Sequence, residues 1–195
     1  LDLRSQALVP IIENLDPQQN YTLNLLLSAG SMLEASTYRF FLTCNQLVGS
    51  IEVSTNSAPK GGFLSVSPKE GSELKTYFTM IAYGYEDNDY PITYGFGFQS
   101  SGNGEIKTLR QRSEINATKK LLPSGAASLD HHMNCTVTVF DRLSASTKDY
   151  FSVVVKPLGA SALQKELISM LNNSDRKNMG ETTSLISVVG DLINR

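Results

Sequence analysis

The chain runs to 195 residues, with 17 Lys plus Arg against 19 Asp plus Glu and a formal charge of −2. A near-neutral balance at pI 5.7 lacks the basic footprint that phosphate neutralisation needs, and no apolar run nears the ~20 residues of a bilayer-spanning helix, which argues against nucleic-acid binding and membrane insertion. Charge is scarce at 18% and hydroxyls and amides replace it, with 50 Ser, Thr and Asn residues, while 53 Leu, Ile, Val and Phe side chains suffice for a core.

There is no initiating Met, so the chain reads as a piece of a longer polypeptide. From residue 21 onward a period of two dominates. Tyr21, Leu23, Leu25 and Leu27 alternate with Thr22, Asn24 and Leu26; Tyr38, Phe40, Leu42 and Cys44 alternate with Arg39, Phe41 and Thr43; Ile51 and Val53 flank Glu52. One apolar face at that period predicts half-buried strands. Pro and Gly clusters at 56–62 and 67–71 mark turns. Further strands are predicted over 75–83, 92–99, 106–109, 135–140 and 150–156. Short strands at this spacing, with no helices between them, predict an antiparallel β-sandwich.

After Pro157 the period changes. Leu163, Leu167, Met170 and Leu171 recur at helical spacing, Asn172 to Asp175 interrupts, and Leu185, Ile186, Val189, Leu192 and Ile193 form a second stripe capped by Thr182 or Thr183. Four basic and four acidic residues spread over 160–195 make this no basic membrane-surface helix. It reads as a helical hairpin that packs on a neighbouring domain.

Four N-x-S/T sequons, at Asn20, Asn116, Asn134 and Asn172, mark N-glycan acceptors in a secreted chain. Cys44 and Cys135 fit either one disulfide or two buried thiols, because both fall on inward positions of predicted strands. With Cys135, Val137 and Val139 inward, Asn134, Thr136 and Thr138 are expected to face solvent.

Few residues carry the signature of catalysis. His131 and His132 are adjacent, so on an extended segment they point to opposite faces and make a poor bidentate metal pair. No nucleophile elbow, phosphate loop or Cys/His metal spacing occurs. Glu86, Asp87 and Asp89 concentrate carboxylates in one loop. Such oxygens can hold calcium, which takes six to eight oxygen ligands, but Asp also caps turns through nearby backbone N–H groups. Turn capping is the favoured role. No other cofactor is expected.

One stretch resembles a known module. The run Asn56-Ser57-Ala58-Pro59-Lys60-Gly61-Gly62-Phe63-Leu64-Ser65-Val66-Ser67-Pro68 is followed by Gly71, Leu74, Thr76 and Phe78-Thr79. Gly84-Tyr85, Asp87, Asp89, Pro91-Ile92-Thr93-Tyr94 and Phe96 come next. Together they resemble the REJ (receptor for egg jelly) module of polycystins and their sperm receptor relatives. Cysteines frequent in the module are replaced by Leu64 and Ala82, consistent with apolar packing in place of a bridge, and Tyr85 stands where Trp is usual.

The resemblance implies fibronectin-type-III/immunoglobulin-like units in tandem. Residues 1–55 would be the later strands of one unit, 56–157 a second unit, and 158–195 the helical start of a GAIN-like domain whose cleavage motif is not in this chain. It further implies a non-enzymatic extracellular stalk, adhesion or ligand-binding module on the outer side of a plasma or ciliary membrane. Its partners would be neighbouring domains of the same longer chain and an extracellular protein or glycan ligand. The alternative is a structural component of a cell-surface or ciliary fibre or coat, assembled through sandwich edges.

Overall fold

The computed structural model describes residues 3–9, 16, 22, 24–44, 46–99 and 104–174. It divides into two units, Leu1–Ser57 and Ala58–Arg195. In the first unit, β1 (Thr37–Cys44) and β2 (Leu47–Ser54) pair as an antiparallel hairpin in continuous register from Thr37↔Ser54 to Cys44↔Leu47. The alternation seen in the sequence sorts its two faces. Tyr38, Phe40 and Leu42 lie with Val53 and Ile51 on one, while the other carries the Arg39–Glu52 ion pair at 2.8 Å and the Thr37–Ser54 hydroxyl pair at 3.1 Å. Leu42, Leu47 and Ile51 of the apolar face are exposed.

The strand expected over Tyr21 to Leu27 is not formed among the described residues. Leu27 makes only an isolated antiparallel bridge to Ala7, and Leu8 N–H donates to the Leu26 carbonyl. Its partner segment is the short helix α1 (Leu3–Gln6) and the two residues after it, too little extended backbone to zip a ladder. Tyr21 and Leu23 lie outside the described residues.

The second unit is a two-layer sandwich. One sheet has three strands in the order β3-β5-β8, with β3 Phe63–Ser67, β5 Tyr77–Tyr83 and β8 Ala117–Leu121. The other has five in the order β4-β10-β9-β6-β7, with β4 Glu70–Ser72, β6 Thr93–Gln99, β7 Ile106–Ser113, β9 His132–Phe140 and β10 Ser146–Lys156. Every pairing is antiparallel except β4 with β10. Thus β3 and β4, separated only by the turn that holds the cis Ser67–Pro68 bond, join opposite sheets. The unit is an antiparallel-dominated β-sandwich, as the strand spacing predicts, of the fibronectin-type-III/immunoglobulin-like class that the resemblance implies.

Alternation builds the core. Leu64 and Val66 of β3, Phe78, Met80 and Ala82 of β5, Phe96 and Phe98 of β6, Met133, Cys135, Val137 and Val139 of β9, and Val153 and Val155 of β10 are all buried in one cluster. Each large side chain so buried is worth about 1.5–3 kcal/mol. Leu64 and Ala82, the positions where the module often has cysteines, are direct partners across β3 and β5.

Glu73 is a buried carboxylate, 2% exposed, in the turn after β4. Its oxygens accept the Ser124 and Leu158 backbone N–H groups at 3.1 and 2.8 Å, which ties the exit of β10 to the sandwich. Helix α2 (Ala160–Ser174) follows, and Leu163 of the predicted stripe packs against the core. It continues to Ser174, into the interruption predicted at 172–175, whose last residue lies outside the described residues. The second predicted stripe, 182–193, lies outside the described residues.

The outward expectation for Thr136 needs correction. Its side chain is on the face away from the core, yet it is 1% exposed. β9 is central, flanked by β6 and β10, and opposite Thr136 stands Gly97. A Cβ at Gly97 would lie 2.8 Å from Ile106 Cγ2 and 3.1 Å from Thr136 Oγ1. Neighbours therefore close over the space a side chain at Gly97 would fill, and Thr136 goes under with it.

Candidate functional site

The loop between β5 and β6 is held from both sides. Lys60 and Glu86 exchange backbone hydrogen bonds at its start, and Arg142 N–H donates to the Asp89 carbonyl at 2.9 Å near its end. Within it, Asp87 Oδ1 accepts the Asp89 backbone N–H at 2.7 Å. That is an Asx turn, the local bonding that Asp supplies where a chain reverses.

The β9–β10 turn meets this loop. Asp141 is 0% exposed, its Oδ1 accepts the Ala145 N–H at 2.8 Å, and its backbone N–H donates to the Ala145 carbonyl at 3.1 Å. Among the described residues, the carboxylates of Asp87, Asp89 and Asp141 offer oxygens all within 4.8 Å of one another. Asp87 and Asp89 were legible as a pair; Asp141 was not, because it is more than fifty residues away and only the sandwich brings the two turns to one end. Glu86 is exposed and outside this group. Three hard oxygen donors could contribute to a calcium shell, which needs six to eight oxygens in all. Two of the three also hold turns together.

Arg112 buttresses the same end. Its Nε donates to Thr93 Oγ1 at 2.6 Å, Nη2 to the Asp141 carbonyl at 2.7 Å and Nη1 to Ser144 Oγ at 3.1 Å. Its guanidinium lies 4.5 Å from the centre of the Phe140 ring, a cation–π contact.

Tyr85 occupies the position where the module usually has Trp, and its ring takes the space above Gly62. A Cβ on Gly62 would come within 2.3 Å of Tyr85 Cγ, so the second of the paired glycines is required by contact. The Tyr85 hydroxyl donates to the Asp149 carboxylate on β10, and its ring meets Tyr94 edge-on at 6.5 Å. Burial first, then the bond to Asp149 and its charge, push the Tyr85 phenol well above the ordinary range. Burial likewise raises Tyr94, with Tyr90 adding to it. These are proton-holding, structural tyrosines.

The sequons separate. Asn134 is exposed on β9. Asn116 is exposed too, but its side-chain amide donates to the Ala82 carbonyl at 3.0 Å; the sequon hydroxyls of both, Thr118 and Thr136, are buried. Asn20 lies outside the described residues. Asn172 falls in the last turns of α2, with its side chain outside the description.

Cys135 is a free thiol, 0% exposed in the sandwich core. Burial pushes it up to about 12, the direction of an inert structural cysteine. Cys44 ends β1, and its side chain is not among those described. His131 Nδ1 lies 3.0 Å from the Gly125 carbonyl and His132 Nδ1 lies 3.2 Å from Ser152 Oγ. The two rings thus engage different partners, and neither belongs to the carboxylate group.

No described helix is long and apolar enough to cross a membrane. The family model of the REJ domain matches residues 5–185, reaching far beyond the 56–98 stretch where the motif residues are densest. It covers both units and nearly the whole length. The chain belongs to the REJ domain family.

Proposed function

We propose that this chain is a non-enzymatic extracellular module of a polycystin-like membrane receptor or channel-associated protein. It serves as a stalk or adhesive surface that presents neighbouring domains and engages an extracellular protein or glycan. The family match over residues 5–185 carries the reading. The sandwich supports it, since a double sheet with one continuous core lets its loops vary without loss of fold. The carboxylate-bearing turns at one end of the sandwich are the loops best placed for such a surface. An antibody against the sandwich should stain intact cells that express the full-length parent protein. Staining only after permeabilisation would overturn the extracellular assignment.

One observation favours a second reading, a self-assembling fibre or coat component. The β1–β2 hairpin leaves Leu42, Leu47 and Ile51 exposed on one face, and apolar sheet faces of this kind serve association. Sizing of the isolated chain across a hundredfold concentration range separates the two. Growth of the particle with concentration supports assembly; a constant monomer supports the stalk.

A further inference from the structure

We infer that Asn134 is the sequon the fold is built to display, and that the first sugar of an N-linked glycan there rests on the ring of Tyr150. The inference depends on the extracellular reading, because the sugar donor is met only along the secretory route.

The outer face of the five-stranded sheet carries the argument. Asn134 is exposed and sits directly opposite Gln99 on β6 and Ser152 on β10. One step along the same face, Tyr150 pairs with Thr136. Asn134 and Tyr150 are therefore diagonal neighbours, about 7–8 Å apart at the backbone and within reach of an aromatic side chain. Tyr150 is 51% exposed, so its ring is open to a ligand. On this face β6 presents Gln99 opposite Asn134 and then Gly97 and Gly95, so over that stretch β6 brings no side chain of its own beyond Gln99. A pyranose offers an apolar C–H face and a polar rim, which matches a ring that is apolar in its body and wet at its hydroxyl. Asn116 differs, because its amide already pins β8 to the Ala82 carbonyl.

Burial of Thr136 sets the order of events. The sequon hydroxyl is 1% exposed once β9 is zipped between β6 and β10. Transfer must then precede folding. In that step the Asn134 side-chain nitrogen attacks the anomeric carbon of a polyprenyl-diphosphate-linked oligosaccharide. The N–C bond forms, the bond from that carbon to the phosphate oxygen breaks, and the polyprenyl diphosphate leaves, its freed oxygen taking up, directly or through solvent, the proton that the amide gives up.

The test is glycopeptide mapping of the chain secreted from cells that make high-mannose glycans, followed by trimming to the first sugar. Asn134 should be occupied, and the trimmed protein should melt about 3 °C above Asn134→Gln. That gap should vanish in a Tyr150→Ala background. Both positions are exposed, so the variants leave the core intact; Thr136→Ala would not. Glycans at other sequons with Asn134 bare would overturn the inference and leave the extracellular reading standing. An equal gap with and without Tyr150 would overturn the ring contact. Ready glycosylation of the folded, sugar-free protein would overturn the order of events. Surface staining of the parent protein tests the extracellular reading separately.

Discussion

Gly62 and Tyr85 show how a single contact constrains two motif positions at once. The ring needs the space a Cβ would take, and its hydroxyl reaches Asp149 on the opposite sheet. Gly62→Ala should force the ring out and break that bond, at a cost of about 1–3 kcal/mol, read as a lower melting temperature. A second expectation follows from Cys135. Its thiol rises from 9.0 to about 12 on burial, so the folded state holds a proton that the unfolded state releases. That contribution is complete below pH 9 and is lost as pH climbs from 9 toward 12. By pH 10 it should have removed about 1.4 kcal/mol. Urea titrations at pH 8 and 10 should show this loss in the wild type and a smaller one in Cys135→Ala. At Asp87 the Asx turn is in place, so Asp87→Ala should lower the melting temperature equally in chelator and in millimolar calcium. A calcium-dependent gain in the wild type that the variant lacks would instead assign the three carboxylates to the cation.

Single elements were legible in proportion to how one-sided their environment is. β5, β6, β9 and β10 put their large apolar side chains on the core face and read as alternation. β3, β4 and β8 went unassigned. β4 is three residues, Glu-Gly-Ser, and exists only because β10 lies alongside in parallel. β8 carries Lys119 and Lys120 on an edge, where charge is the usual guard against further pairing. β7 extends to Ser113 rather than 109 because its second half pairs with β6 at Arg110 and Ser113, on either side of a register shift, and shows no apolar period. The pairing of Leu64 with Ala82 gives a testable consequence at this scale. Opposed residues of an antiparallel pair have Cα atoms about 4.5–5.5 Å apart, inside the range a disulfide spans. Leu64→Cys with Ala82→Cys should therefore oxidise, and the oxidised form should melt above its own reduced form, by about 3 kcal/mol in the chain-entropy account. Free thiols after oxidative refolding would show the register to be wrong.

On the scale of the molecule, every described residue of the buried apolar cluster lies in the second unit, from Leu64 to Val155. A chain cut to residues 58–174 should therefore keep one cooperative thermal transition, followed by circular dichroism because the chain has no Trp. Loss of that transition would mean that the first unit completes the fold.

The sequence by itself determined the fold class, the inward strand residues of the second unit, the family and the lack of a basic or bilayer-spanning segment. Each of these is a local or compositional property, carried by periods of two and by motif residues close together in the chain. Only the tertiary structure decided which turns meet. It brought Asp141 to Asp87 and Asp89, set Tyr85 over Gly62 and against Asp149, buried Thr136 beside a glycine, placed Cys135 as a free thiol in the core, and set Tyr150 diagonal to Asn134. Those relations depend on strand order and register between segments tens of residues apart, and a single sequence carries no term that links such positions.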